Sequence, residues 1–155
     1  SVVVVGGGGT TFPEDAWRRA GSRPDVEVIV IGLPQRWSTG SVTSWGRVRD
    51  PFDFFCAADV VISAAGWATV HDAASLGRPS AVVAEDRPFD EQAVRAAALT
   101  AAGLVVTLEH WPEPGDLDAV VRSARSLDPT LWAPHYDGRG AERAAAMIDG
   151  VHLGR

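Results

Sequence analysis

Gly66, Trp67, Ala68 and Thr69, with Asp72 one helical turn further on, carry the first chemical signal in this chain, within the run ISAAGWATVHDAASLG. Small residues and a hydroxyl at the start of a helix can wrap a diphosphate. The exposed backbone N–H groups and the helix dipole there both favour negative charge. An ionised carboxylate is a pure acceptor, so Asp72 suits the two hydroxyls of a ribose. Thr69-Val70-His71-Asp72 also satisfies the S/T-x-x-D/E capping box, in which the same residues would serve only their own helix. His71 reads as a helix-end residue rather than a base.

A second glycine-rich turn, GGGGTT from Gly6, follows the first apolar run. It does not match the dinucleotide fingerprint, because Thr11 stands where the third glycine belongs. Nor does an acid close the next strand to hold a ribose, since Gly32 follows Ile31. No lysine is present for a phosphate-binding P-loop. Two readings remain for this turn: a tight strand-to-helix connection, or a backbone surface left bare for a ligand to approach.

The elements that must position these residues alternate along the chain. Buried strands are predicted at 2–5, 26–31, 59–63, 80–84 and 104–108, each rich in Val, Ile or Ala. A further short strand is expected at 45–48, after an irregular polar stretch at 35–44. Helices are predicted at about 13–20, 50–58, 69–76, 91–102, 117–126 and 141–148, several opened by Pro or acids in the first turn. Strands alternating with helices of this length imply an α/β, doubly wound, Rossmann-like parallel sheet. Trp111, Pro112, Pro114, Trp132 and Pro134 are expected to be packing residues, and the last helix to show some apolar surface.

The 155 residues, 46% hydrophobic and 22% charged, fit a single globular domain. A net charge of −6 without a basic cluster argues against nucleic acid as a partner. The single cysteine, Cys56, forms no internal disulfide and is expected in the core. Asp50 and Asp53 lie among phenylalanines and the four histidines are scattered, so no metal site and no cofactor is expected. The chain opens on a strand without an initiator methionine, as expected of a piece of a longer polypeptide.

The segment A-D-V-V-I-S-x-x-G-x-x-T-V-x-D-x-x-x-x-G-x-P (Ala58 to Pro79), followed by D-x-Q at Asp90-Glu91-Gln92, resembles the C-terminal, donor-binding half of GT-B glycosyltransferases of family 28. The resemblance covers nearly the whole chain. It implies that Gly66, Trp67, Ala68 and Thr69 contact the diphosphate of a UDP-sugar and that Asp72 holds the ribose. It further implies backbone contacts from Val48 and Arg49 to the base, and sugar contacts from Glu91 and Gln92. Gly8, Gly9 and Thr10 would line the acceptor side. Trp67 stands where the family usually has a small residue, which either reshapes the phosphate pocket or turns the indole outward. Glu91 and Arg95 replace a usual glutamine and asparagine.

The activity so implied is metal-independent hexosyl transfer, with the leaving diphosphate stabilised by helix-terminal amides and hydroxyls. The general base would come from an N-terminal acceptor domain of the same polypeptide, or from a membrane-anchored partner subunit. The isolated domain is expected to bind donor without turnover. By the same resemblance, the whole protein is expected in the cytoplasm, peripheral to the inner face of the membrane. A nucleotide-sugar hydrolase or epimerase half-domain, and a non-catalytic donor-binding subunit of a split transferase, are the alternatives.

Overall fold

The computed structural model describes residues 1–6, 12–20 and 23–152, the last two by backbone alone. Seven strands form one sheet: β1 (Val2–Gly6), β2 (Glu27–Ile31), β3 (Arg36–Thr39), β4 (Val42–Trp45), β5 (Val60–Ala64), β6 (Ser80–Val83) and β7 (Val106–Leu108). The helices are α1 (Glu14–Arg19), α2 (Phe52–Ala57), α3 (Trp67–Ser75), α4 (Glu91–Ala101), α5 (Leu117–Arg125) and α6 (Gly140–His152). The sheet order is β3-β4-β2-β1-β5-β6-β7, with every pairing parallel except that of β3 with β4. The doubly wound α/β expectation is met.

β1 and β5 are all-apolar except Gly6 and Ser63 because both sheet faces are covered. Val3, Val5, Val28, Val30, Ile62 and Val83 face Trp17 of α1 and the Leu117, Val120 and Ala124 stripe of α5. Val4 and Val61 face Phe55 of α2 and Ala73 of α3, while Val82 faces Val70, Ala74 and Ala96 of α3 and α4. Trp17 is fully buried, and its indole N–H donates to the Pro112 carbonyl at 3.0 Å. Trp111 and Trp132 are buried packing residues, as expected, and so is Pro112; Pro134 is exposed.

Three expectations are corrected. The polar stretch at 35–44 is a β-hairpin turning at Gly40-Ser41, and the strand expected at 45–48 is a loop, because β4 ends at Trp45 and Gly46 takes φ +69°. β3 alternates exposed and half-buried residues at the sheet edge, so its composition reads as a loop although its pleat is regular. Cys56 is exposed rather than in the core. α2 is only one and a half turns long and turns Phe55 inward, which carries the next residue outward.

α6 is exposed along its described length, with Met147 and Ile148 among the exposed apolar side chains. No helix of the described residues is long and apolar enough to cross a membrane.

Candidate functional site

β1 connects through α1 to β2 on one side, whereas β5 lies on the other side of β1 and leads through α3 to β6. The strand order therefore reverses between β1 and β5. Open α/β sheets bind ligands in the crevice beyond the carboxyl ends of the strands at such a point. Gly6 and Ser63 are paired at that edge, so the carboxyl ends of β1 and β5 lie side by side. Gly6 itself has a packing reason: a Cβ there would lie 3.2 Å from Ile31 Cγ1. Gly8, Gly9 and Thr10 lie outside the described residues.

The path from β5 to α3 is short. The Ala65 amide donates to the Val83 carbonyl at 2.8 Å, which extends the β5–β6 pairing, and Gly66 then caps α3 in extended conformation at φ −71° and ψ 142°. The first helical bond runs from the Val70 amide to the Gly66 carbonyl at 3.1 Å. The amides of Trp67, Ala68 and Thr69 precede it and have no intrahelical acceptor. No side chain caps them, and no acid lies in the first turn of α3. Nothing stands within 4 Å of where a Gly66 Cβ would be, so the glycine opens onto free space. Because α3 starts at Trp67, Thr69 occupies the third helical position rather than the cap. The capping-box arrangement of Thr69 with Asp72 is not formed.

At about 100° per residue, Thr69 and Asp72 fall on one flank of α3 and Trp67 and His71 on the other, with Val70, Ala73 and Ala74 buried between them. Trp67 turns its indole outward: it is 62% exposed and meets the His71 ring at 4.2 Å between centroids, tilted by 54°. The Arg95 guanidinium lies 5.2 Å from the same indole. Arg95 Nη1 also donates to the Ala65 carbonyl at 2.6 Å. No carboxylate pairs with Arg95 among the described residues. A half-buried guanidinium therefore stands behind the amide-rich start of α3, fixing its entry and adding positive potential. Sequence reasoning noted Arg95 only as a departure from a family pattern. Its reach across to β5 depends on how α4 packs, which spacing does not reveal.

Glu91 and Gln92 open α4 and behave differently. Glu91 is exposed, while Gln92 is buried and its Oε1 accepts the Glu85 amide at 3.0 Å. Just before them, Phe89 and Asp90 both take left-handed conformations, at φ +64° and +51°, and Phe89 is 98% exposed. Successive non-glycine residues in that region cost roughly 1–2 kcal/mol each and mark a constrained turn. Val48 and Arg49 lie in the loop after β4. That loop leaves the same sheet edge as Gly66, three strand spacings or about 14 Å away. Val48 packs on the cluster containing Phe55 and Ala73, which leans the loop towards α3, and Arg49 is exposed. Among the described residues no group of three or more His, Cys, Asp or Glu side chains is placed to hold a metal ion.

A family model, the glycosyltransferase family 28 C-terminal domain, matches residues 53–133, more than half of the chain. The chain belongs to that family. The matched span of this family 28 domain holds Gly66 to Asp72 and Gln92, and leaves Val48 and Arg49 outside. Its fold is similar to that of the glycotransferase of kitacinnamycin, at TM-score 0.65 and 17% identity over 84% of this chain. A spinosyn rhamnosyltransferase matches at TM-score 0.58 and 22% identity over 86%, and a calicheamicin glycosyltransferase at TM-score 0.57 and 17% identity over 97%. The family 28 domain spans 36%, 38% and 44% of those three chains respectively. No curated protein matches it. With its sheet and flanking helices, the domain is the C-terminal half of a GT-B fold.

Proposed function

We propose that this family 28 domain binds a nucleoside diphosphate sugar, a UDP-sugar, as the donor half of a metal-independent glycosyltransferase that moves a hexosyl group to an acceptor. One observation carries the reading. Three amides without an intrahelical acceptor and the open face of Gly66 meet at the strand-order reversal, with no acid in the first turn and, behind it, a guanidinium that pairs with no carboxylate among the described residues. An amide cluster of that polarity calls for an anion.

In this reading the diphosphate sits on the amides of Trp67, Ala68 and Thr69 and on the Thr69 hydroxyl. Asp72 accepts from the ribose hydroxyls, and backbone groups of Val48 and Arg49 read the base. Glu91 faces the sugar from the start of α4, whereas Gln92 acts by holding the Glu85 amide in place. As the bond between the sugar's anomeric carbon and the diphosphate oxygen breaks, negative charge grows on the diphosphate. Amides already aimed there stabilise that charge without reorganising. The acceptor and its general base belong to the remainder of a longer polypeptide or to a partner subunit, so the isolated domain binds without turnover.

Calorimetric titration with UDP, TDP, GDP and their sugars tests this. UDP binds best, and Thr69→Ala and Asp72→Ala each weaken it about tenfold, as loss of a hydrogen bond to a charged group does. The melting temperature stays within about 2 °C, because neither side chain caps α3. Unaltered binding together with a large fall in melting temperature would instead show that both residues serve the helix, and the reading would fail.

A further inference from the structure

Glu85 lies two residues past Val83, the last paired residue of β6, as Gly66 lies two past Ala64, its partner on β5. The two therefore stand level with each other at the carboxyl edge of the sheet. The Glu85 side chain is only 10% exposed. Its position is held from both ends: its amide donates to Gln92 Oε1 at 3.0 Å, and its Oε2 accepts Arg87 Nη2 at 3.2 Å. Its other carboxylate oxygen, Oε1, is buried and has no hydrogen-bond partner among the described residues.

A buried acceptor without a donor is costly, and such an atom in a folded protein calls for an explanation. Fixing the amide through Gln92 and one oxygen through Arg87 leaves the second oxygen oriented and unfilled. The ligand feature that completes it cannot be the phosphate, because a carboxylate repels an anion. It must be a hydrogen-bond donor on an uncharged or cationic part of whatever binds beside α3. On the reading above, with the diphosphate on the α3 amides, the group that faces the β6 edge and α4 is the donor's sugar.

We propose that Glu85 Oε1 accepts a hydrogen bond from one hydroxyl of the donor sugar, making Glu85 the residue that selects which sugar is carried. This rests on the donor-binding reading and adds a specificity residue to it. A site built to bond a hydroxyl leaves its own buried polar atom unpaired when the hydroxyl is missing, and so rejects the deoxy analogue strongly. Sugars lacking that hydroxyl are excluded, while the bare nucleotide, which never reaches Glu85, is indifferent to it.

The experiment titrates the whole chain and Glu85→Gln with UDP, UDP-glucose and the singly deoxygenated UDP-glucoses. The wild-type chain rejects one deoxy analogue by about 100-fold and tolerates the others within about fivefold. Glu85→Gln binds UDP within about twofold of wild type, weakens UDP-glucose about tenfold and narrows the discrimination against that one analogue. Equal loss for UDP and UDP-glucose would make Glu85 a structural residue and overturn the inference. Wild-type binding that is indifferent to every deoxygenation would overturn it without recourse to a variant. If UDP itself does not bind, the donor-binding reading has failed first. UDP binding without sugar discrimination defeats only the inference about Glu85.

Discussion

Arg95 of α4 donates from Nη1 to the Ala65 carbonyl at 2.6 Å, joining the helix that follows β6 to the turn that follows β5. Gln92, one turn earlier on α4, accepts the Glu85 amide at 3.0 Å. The first half of α4 is thus stitched across the carboxyl ends of two neighbouring strands. The two helix starts that frame the candidate site, those of α3 and α4, cannot move independently.

Arg95→Ala removes both that bond and the cation stacked on Trp67. A hydrogen bond to a charged group and an exposed cation–π contact together contribute about 2–3 kcal/mol. Thermal unfolding should register a loss of that order, and UDP affinity should fall by about tenfold as the α3 amides lose their fixed direction. Arg95→Lys restores charge but not the planar reach, so it recovers little. A variant with native affinity and native stability would show that the Arg95–Ala65 bond positions nothing.

Gln92→Ala leaves the Glu85 amide without its acceptor in a partly buried place. The expected loss is about 1–3 kcal/mol of stability, read by chemical denaturation with an unchanged slope. Glu91→Gln, at an exposed position, should change stability by less than about 0.5 kcal/mol. The contrast between adjacent residues separates a side chain bonded within the protein from one exposed to solvent.

Trp17→Phe keeps most of the buried ring but deletes the donor to Pro112, leaving that carbonyl unsatisfied in the interior. A cost of about 1–3 kcal/mol follows. Trp17→Ala adds a cavity and should cost about 3–5 kcal/mol, enough to leave an average domain of this size partly unfolded.

Acid should loosen the segment after α5 before the sheet. The Thr130 hydroxyl and amide hold the Asp128 carboxyl below its ordinary value of 3.8, and Arg143 with the Arg139 amide does the same for Asp137. Both groups therefore add stability that is complete above the ordinary carboxylate value and is lost as pH falls through their lowered values. Hydrogen exchange across residues 128–143 should accelerate below about pH 3.8 while the β1 and β5 amides stay protected. Asp137→Asn should remove the pH dependence around Arg143.

Most of the scaffold was legible locally. β1, β2, β5 and β6 announce themselves because strands covered on both faces need uninterrupted apolar residues. The start of α3 was legible too, although two residues late, because Trp67 and Ala68 lack the polar cap that usually marks a helix entrance. The β3–β4 hairpin was not legible: Arg36, Ser38 and Thr43 sit at a wet sheet edge, where polar composition and strand geometry coexist. Cys56 looked like core for the opposite reason, an exposed position set within an apolar run.

The sequence alone determined the class of the fold and the place of the candidate anion site, since both follow from local patterns: apolar strands, a glycine turn and an uncapped helix start. Only the tertiary structure decided the contacts of the residues around it. Gln92 became a strut and Trp67 turned its indole outward. Arg95 reached β5, and Glu85 was left with a buried oxygen unfilled. Those outcomes depend on how α4 packs against the ends of β5 and β6. A hydrogen bond between residues 7 or 30 positions apart is set by that packing, which no spacing along the chain encodes.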